Sequence, residues 1–161
     1  MHNVQKSDRK MKLAEALLLR SEYQKKIENL QSRIHANIKV QENDSPHEDP
    51  QGLIDETFDL TERMCTLIKK INACNNTATL PNGLTISEAI VERDMLMKKR
   101  SILSSVTMTA QNRDYRLTRS EVKMNVIVSV EEMQKEIDAI SQKFRELDTQ
   151  IQGANWTTDL E

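Results

Sequence analysis

The chain is poor in the residues that break helices and in those that build β-sheets. Its 161 residues include three glycines, three prolines and only 3% aromatic side chains. Turns depend on Gly and Pro and strands favour aromatic residues, so this composition excludes an all-β fold and predicts a few long helices. The content of 37% apolar and 30% charged residues is typical of a folded chain, and the length suits one domain.

Long apolar segments are also missing. No eighteen consecutive apolar residues occur, and the N-terminal segment has neither the apolar core nor the cleavage pattern of a signal peptide. We therefore expect a cytoplasmic protein without a membrane partner. Cys65 and Cys74 fall on nearly opposite faces of one predicted helix, so they are not expected to bridge.

Motifs of known enzyme classes are absent as well. The sequence holds no H-E-x-x-H, no C-x-x-C, no glycine-rich phosphate loop and no G-x-S-x-G. This predicts a protein that is not an enzyme and needs no cofactor. One acidic loop could gather oxygen and imidazole ligands around a divalent cation, although a solvated loop is the favoured interpretation; the residues concerned are Glu42, Asp44, His47, Glu48 and Asp49.

Apolar residues at spacings of three and four are the main positive signal. They predict amphipathic helices over about 10–37, 50–75, 86–112 and 129–152, with Asp49, Thr85 and Ser129 as N-caps. The fourth helix has the most regular seam, typical of a coiled coil or bundle, made of Val130, Met133, Ile137, Ile140, Phe144, Leu147 and Ile151. Because the first and fourth helices combine long stripes with charged flanks, we predict that they pair lengthwise.

Two short segments predict β-structure. The run Pro81-Asn82-Gly83 is typical of a bulged hairpin turn, so a small hairpin is predicted over about 77–86. β-branched residues dominate about 122–128, which predicts a short strand. The two segments are expected to form one three-stranded patch.

The only tryptophan, Trp156, lies in the run NWTTDL near the end of the chain. The seam of the fourth helix closes at Ile151 and Gly153 offers a stop, so Trp156 is expected where the chain leaves the helix. There the indole can fold back to plug the open end of the bundle, which is the favoured interpretation. The alternative is that it docks a partner or a second subunit.

Charge is spread unevenly along the first part of the chain. Residues 1–40 carry nine Lys or Arg and four acidic residues, whereas residues 41–62 carry eight acidic residues and no Lys or Arg. We expect the first helix to attract the start of the second. The same complementarity could instead orient neighbouring subunits.

Arg93 falls where the seam of the third helix would otherwise hold an apolar residue, and Arg100 follows seven residues later. Arginines at such positions usually pair with carboxylates and can fix the register of two helices. We predict that Glu146 or Asp148 on the fourth helix answers them. An internal anion or ligand site is the alternative.

A basic cluster surrounds Tyr115 and consists of Arg113, Arg116, Arg119 and Lys123. It could bind phosphate or nucleic acid. A connector salt-bridged to nearby acidic residues is the favoured interpretation, since the chain as a whole is slightly acidic.

The second helix has an apolar stripe wider than one partner helix can cover. We expect Leu53, Leu60, Leu67 and part of the third helix to be partly exposed in a monomer, and a contiguous apolar patch of that kind marks an interface. This predicts a homo-oligomer, with Leu53, Leu60, Leu67 and Trp156 as candidate interaction residues.

Four stretches carry a family resemblance: KLAEALLLR, LTISEAIVERD, RSEVKMNVIVSV and KFRELDTQIQGANWTTDL. With these stretches the chain resembles the septicolysin-like family of uncharacterised bacterial proteins over nearly its whole length. The resemblance implies a bacterial source and a helical fold, and it brings no catalytic residue. The family name also suggests a cytolysin.

Together these observations predict a mainly α fold of four long antiparallel, coiled-coil-like helices with a small β element. The predicted function is that of a non-enzymatic structural or protein-interaction protein that forms a homo-oligomer, with a further protein partner as an option. Two alternatives stay open, a membrane-active cytolysin and a nucleic-acid or anion binder that uses the cluster within residues 113–123.

Overall fold

The protein is mainly α-helical, as the sequence predicts. A computed structural model describes residues 9–112 and 125–160. Four helices follow one another, α1 (Leu13–Asn37), α2 (Pro50–Thr77), α3 (Ile86–Gln111) and α4 (Val130–Thr157). The chain divides into two compact units: unit 1 contains α1, α2 and the residues from Gln152 onward, and unit 2 runs from Leu80 to Ile151. The prediction of a single folding domain stays a prediction.

Capping residues set the start of each of the last three helices. Asp49 accepts hydrogen bonds from the backbone of Gln51 and Gly52 at 3.2 and 3.0 Å, immediately before Pro50. Thr85 and Glu88 form a reciprocal capping box at the start of α3. The hydroxyl of Ser129 accepts from the backbone N–H of Glu132 at 3.2 Å. These contacts satisfy N–H groups that have no partner inside the helix, which is why the sequence marks the helix starts so clearly.

Unit 1 is built on the antiparallel pair of α1 and α2. Its core cluster consists of Ile27 and Leu30 from α1 and Leu53 and Leu60 from α2. The lengthwise partner of α1 in this unit is therefore α2, and the lengthwise pairing of α1 with α4 stays a prediction. Periodicity identifies the apolar face of a helix but does not say which other face it meets.

Ion pairs bridge α1 to the acidic segment that follows it, as the charge distribution predicts. Lys26 pairs with Glu56 at 2.8 Å, and Arg33 donates from Nε to Glu48 at 3.0 Å. Asn37 is buried at the end of α1 and its side chain accepts from the backbone of Glu48 at 3.0 Å. These contacts close the turn between the two helices.

Residues 158–160 contact residues 11–13 at the beginning of α1, and we call these contacts the terminal clasp. The N–H of Leu13 donates to the carbonyl of Thr158 at 2.9 Å, and the N–H of Leu160 donates to Met11 at 2.7 Å. Between these two hydrogen bonds, the Lys12 ammonium pairs with the Asp159 carboxylate at 2.7 Å. The residues after α4 are therefore anchored to unit 1.

Unit 2 contains an antiparallel pair of α3 and α4. Near one end of the pair Arg93 on α3 lies 3.1 Å from Asp148 on α4, and near the other end Thr107 contacts the sulfur of Met133 at 4.0 Å. The seam of α4 is buried at Ile137, Ile140, Leu147 and Ile151. Its regular spacing of three and four thus produces the one-sided packing that it predicts.

The predicted β-patch is absent from the described residues. Over the predicted hairpin the chain makes a turn, in which Leu80 N–H donates to Leu84 at 2.8 Å and Gly83 has a φ of 87°. The turn chemistry was identified correctly, but a helix lies on each side of it instead of a strand. Of the predicted strand, residues 122–124 lie outside the described residues, and residues 125–128 form no strand.

The end of α4 also differs from the prediction. The helix continues through Gly153 to Thr157, five residues past the predicted end at 152. Trp156 therefore lies on the last turn of the helix and is 58% exposed, so the interpretation as a buried plug was wrong. Its neighbour Asn155 is the buried residue, because a step of four from Ile151 on the seam leads to Asn155.

Candidate interaction surface

Helix α3 differs from the other helices in how its apolar residues are distributed. One face is buried in the fold and includes Ile86, Ala89 and Thr107. Other large apolar side chains of the same helix are exposed, namely Val91, Met95, Met97, Ile102, Val106 and Met108. On α4, by contrast, Trp156 is the only exposed large apolar residue. A helix that is apolar on several sides usually packs against more than one partner.

Four of these exposed residues share one face, and we call them the α3 stripe: Val91, Met95, Ile102 and Val106, which are 60%, 53%, 53% and 36% exposed. At 3.6 residues per turn they lie within about 60° of one another and extend over about 22 Å. Met97 and Met108 lie roughly 140° away around the helix, on a separate face. Single exposed apolar residues are ordinary, but an aligned row of four is a patch.

A groove between α3 and α4 adjoins the α3 stripe. It has a volume of about 440 Å³, and Val91 and Met95 form part of its wall together with Leu96 and Leu147. Its charged lining is balanced in sign, with Glu92 and Lys99 from α3 and Lys143 and Glu146 from α4. A lining that combines apolar side chains with charges of both signs is compatible with a protein-binding surface.

One polar atom in this groove has an unusual environment. Gln150 lines the groove, and its side-chain oxygen Oε1 has no accessible surface and no hydrogen-bond partner within the described residues. Buried polar atoms nearly always have a partner, so this unpaired oxygen is an exception within unit 2.

Arg93 joins the two helices of unit 2 beneath this surface. It donates to Asp148 and to Asp94, each at 3.1 Å. Burial alone would lower the pKa of Arg93, but its hydrogen bonds to Asp94 and Asp148 outweigh that effect and raise the pKa. The predicted pairing of Arg93 with α4 is confirmed, whereas Arg100 is exposed. Because Arg93 is already held by two carboxylates, the alternative of an internal anion site at this residue loses its basis.

The leucines predicted as interaction residues lie in unit 1 and not on this surface. Leu53, Leu60 and Leu67 are all buried, so the expectation that they are partly exposed was wrong. Leu53 and Leu60 share the core cluster of unit 1 with residues of α1. The role of these leucines in contacts with other molecules stays a prediction. Trp156 does lie on the surface, which is compatible with the alternative of docking a partner.

The remaining candidate residues divide into two groups. Arg113, Arg116, Arg119 and Lys123 lie outside the described residues. The acidic loop is described, and its Glu48 is engaged by Arg33. Across residues 9–112 and 125–160, no group of three or more His, Cys, Asp or Glu side chains is arranged to hold a metal ion.

The sequence contains a signal for the α3 stripe that periodicity analysis missed. Steps of four, seven and four residues keep one face of a helix in line, and Val91, Met95, Ile102 and Val106 follow these steps. The signal is masked because other apolar residues lie between them. Met95 also lies within the charged run ERDMLMKKR, where charged residues outnumber the apolar ones.

A solved structure is similar to this chain over nearly its whole length. A crystal structure of a functionally unknown conserved protein from Corynebacterium diphtheriae is similar, with a TM-score of 0.86 and 35% sequence identity. The similarity covers 95% of this chain and 100% of that one. The comparison with curated proteins finds no match. No described helix is long and apolar enough to cross a membrane.

These findings correct the resemblance to septicolysin-like proteins. The family model that matches is DUF6847, described as a family of unknown function, and the match extends over residues 20–160. Neither this family nor the similar crystal structure has a link to septicolysin, so the resemblance was wrong and the cytolysin alternative that came with it loses its basis. The matched stretch covers most of the sequence, and the chain belongs to the DUF6847 family.

Proposed function

We propose that the protein is a non-enzymatic, helical interaction protein that associates with itself through the outer face of α3. The observation that carries this proposal is the α3 stripe, an aligned row of four exposed apolar side chains. Leaving such a row in water costs free energy in proportion to its area, and covering it recovers that energy. The regular apolar seam of α4 supports the proposal. It packs against one face of α3, so the stripe on another face of α3 stays exposed.

A non-enzymatic role is supported by what lies around the stripe. The groove beside it has apolar walls and charges of both signs, which suits a protein surface better than a small charged substrate. We also propose the cytoplasm as the compartment, since only two cysteines are present and Cys65 is exposed as a thiol.

The test compares two methionines of the same helix. Met95→Glu places a charge within the α3 stripe, whereas Met97→Glu places the same charge on the separate face, where the methionine is similarly exposed. We expect light scattering after gel filtration to show an oligomer for the natural protein and for Met97→Glu, and a monomer for Met95→Glu. If Met97→Glu also became monomeric, or if Met95→Glu left the mass unchanged, the stripe would not be the contact.

Circular dichroism provides the control for folding. Both positions are exposed, so both variants should keep the helical content of the natural protein. A change in mass with unchanged helicity would therefore report on association alone.

A further inference from the structure

The α3 stripe is symmetric about its own centre. Val91 and Val106 lie equally far on either side of the midpoint between Lys98 and Lys99, and Met95 and Ile102 lie equally far from the same midpoint. In an antiparallel contact between identical copies about a twofold axis, residues at equal distances from the axis lie level with each other, so symmetric spacing sets apolar side chains opposite apolar side chains. A contact with an unrelated protein gains nothing from such symmetry.

We propose that α3 pairs with α3 of a second copy in antiparallel register, about a twofold axis that passes between Lys98 and Lys99. The proposal rests on self-association through the α3 stripe and specifies its geometry. In this register Val91 lies level with Val106 of the second copy, and Met95 lies level with Ile102 of the second copy. The members of each pair lie on opposite sides of the centre line of the stripe, so their side chains interdigitate rather than collide.

The two central lysines favour antiparallel over parallel pairing. Lys98 and Lys99 flank the stripe at its midpoint, so four ammonium groups meet near the axis of a dimer. Side chains on a helix lean toward its N-terminus. In an antiparallel pair the lysines of the two copies therefore lean away from each other, whereas in a parallel pair they lean the same way and stay close. Separation of like charges lowers the electrostatic cost of association.

A parallel pair, or an antiparallel pair in another register, would bring different residues of the two copies together, so the register can be measured. Packed helices lie about 8–10 Å apart, so positions that face each other near the axis come within disulfide range. Position 98 lies close to the twofold axis and would meet itself. Position 91 lies about 11 Å along the helix from the axis, so its two copies would lie about 22 Å apart in level.

The experiment uses engineered cysteines in the full chain, with the exposed native Cys65 replaced by Ser. Lys98→Cys alone should form a covalent dimer under mild oxidation. Val91→Cys alone and Val106→Cys alone should not, but an equal mixture of the two should form a mixed dimer. All four positions are exposed, and circular dichroism checks that each variant keeps its helices.

The possible results separate the register from the association itself. Self-linking of Val91→Cys with no mixed product would indicate a parallel pair and overturn the proposed register. A protein that is an oligomer by light scattering but links at none of these positions would also overturn the register, while leaving self-association in place. A monomer at every concentration would overturn both.

Discussion

Gly83 and Gly153 have opposite effects on stability, because one lies in a turn and the other in a helix. Gly83 has a φ of 87° in the turn before α3, a region that other residues adopt with difficulty. Gly153 lies inside α4, and a Cβ added there would meet no atom within 4 Å. The turn needs its glycine, whereas the helix is weakened by one.

Alanine at the two glycines should therefore change stability in opposite directions. We expect Gly153→Ala to raise the free energy of unfolding by about 0.5–1 kcal/mol, because alanine restricts the unfolded chain and favours the helix. Gly83→Ala should lower it by about 1 kcal/mol, because alanine is strained at positive φ. Urea denaturation followed by circular dichroism measures both, and a loss of stability on Gly153→Ala would contradict the helical placement of that residue.

Three carboxylates of unit 1 show how single residues make the fold sensitive to acid. Each accepts a hydrogen bond from a basic side chain, which lowers its pKa below the ordinary value: Glu48 from Arg33, Glu56 from Lys26 and Asp159 from Lys12. A lowered pKa means that the folded state holds the charged form more strongly than the unfolded chain does. The stabilisation is present above the unfolded pKa and is lost as the pH falls through the folded pKa.

The urea midpoint should therefore decrease as the solution is acidified from about pH 6 to about pH 3. In Glu48→Gln this decrease should be shallower than in the natural protein, because one of the titrating groups is gone. Glu42→Gln is the matched control, since Glu42 is an exposed glutamate of the same loop. Equal slopes for Glu48→Gln and the natural protein would contradict the role of the pair with Arg33.

At the scale of elements, α4 and α3 differ in how fully their packing can be predicted. The apolar residues of α4 form one seam, so the buried side of the helix follows from spacing alone. Those of α3 lie on several sides, and spacing does not tell which side is buried by the fold. Arg93 resolves the ambiguity, because its predicted pairing with Glu146 or Asp148 directs that side of α3 toward α4, and Asp148 is the residue it contacts.

The predicted hairpin and the predicted end of α4 failed for a shared physical reason. Pro81-Asn82-Gly83 satisfies the backbone needs of a tight turn whether strands or helices flank it. Gly153 is compatible with a helix end, but it is also tolerated inside a helix when tertiary contacts continue beyond it. Here the terminal clasp and the buried Asn155 hold the last turn of α4 in place.

The terminal clasp is the element whose removal should have the clearest effect on unit 1. Deleting residues 158–161 removes the backbone hydrogen bonds made by Leu13 and Leu160 and the ion pair of Lys12. With about 0.5–1.5 kcal/mol for each hydrogen bond, we expect a loss of about 1–3 kcal/mol in the free energy of unfolding. Thermal and urea denaturation measure this loss.

Asp159→Asn is the control for that deletion. It keeps both backbone hydrogen bonds and removes only the charge of the carboxylate, which is well exposed. Exposed ion pairs contribute little, so this variant should remain close to the natural protein. A deletion that proved as stable as Asp159→Asn would show that the backbone contacts are dispensable.

At the scale of the whole molecule, the proposed function depends on the exposed surface of α3. Each compact unit buries the seam between its own helices, and the α3 stripe is a row of apolar residues that stays exposed in the part of the chain that the structure describes. The sequence predicts self-association through three leucines of α2, Trp156 and part of α3, but the leucines turned out to be buried. Only the structure distinguishes an apolar face that is covered within the chain from one that stays exposed.

The mass of the unmodified protein in solution tests self-association most directly. Sedimentation equilibrium at concentrations across the micromolar range should give a mass that rises from 18.6 kDa toward twice that value as the concentration increases. A mass that stays at 18.6 kDa over the whole range would contradict the account.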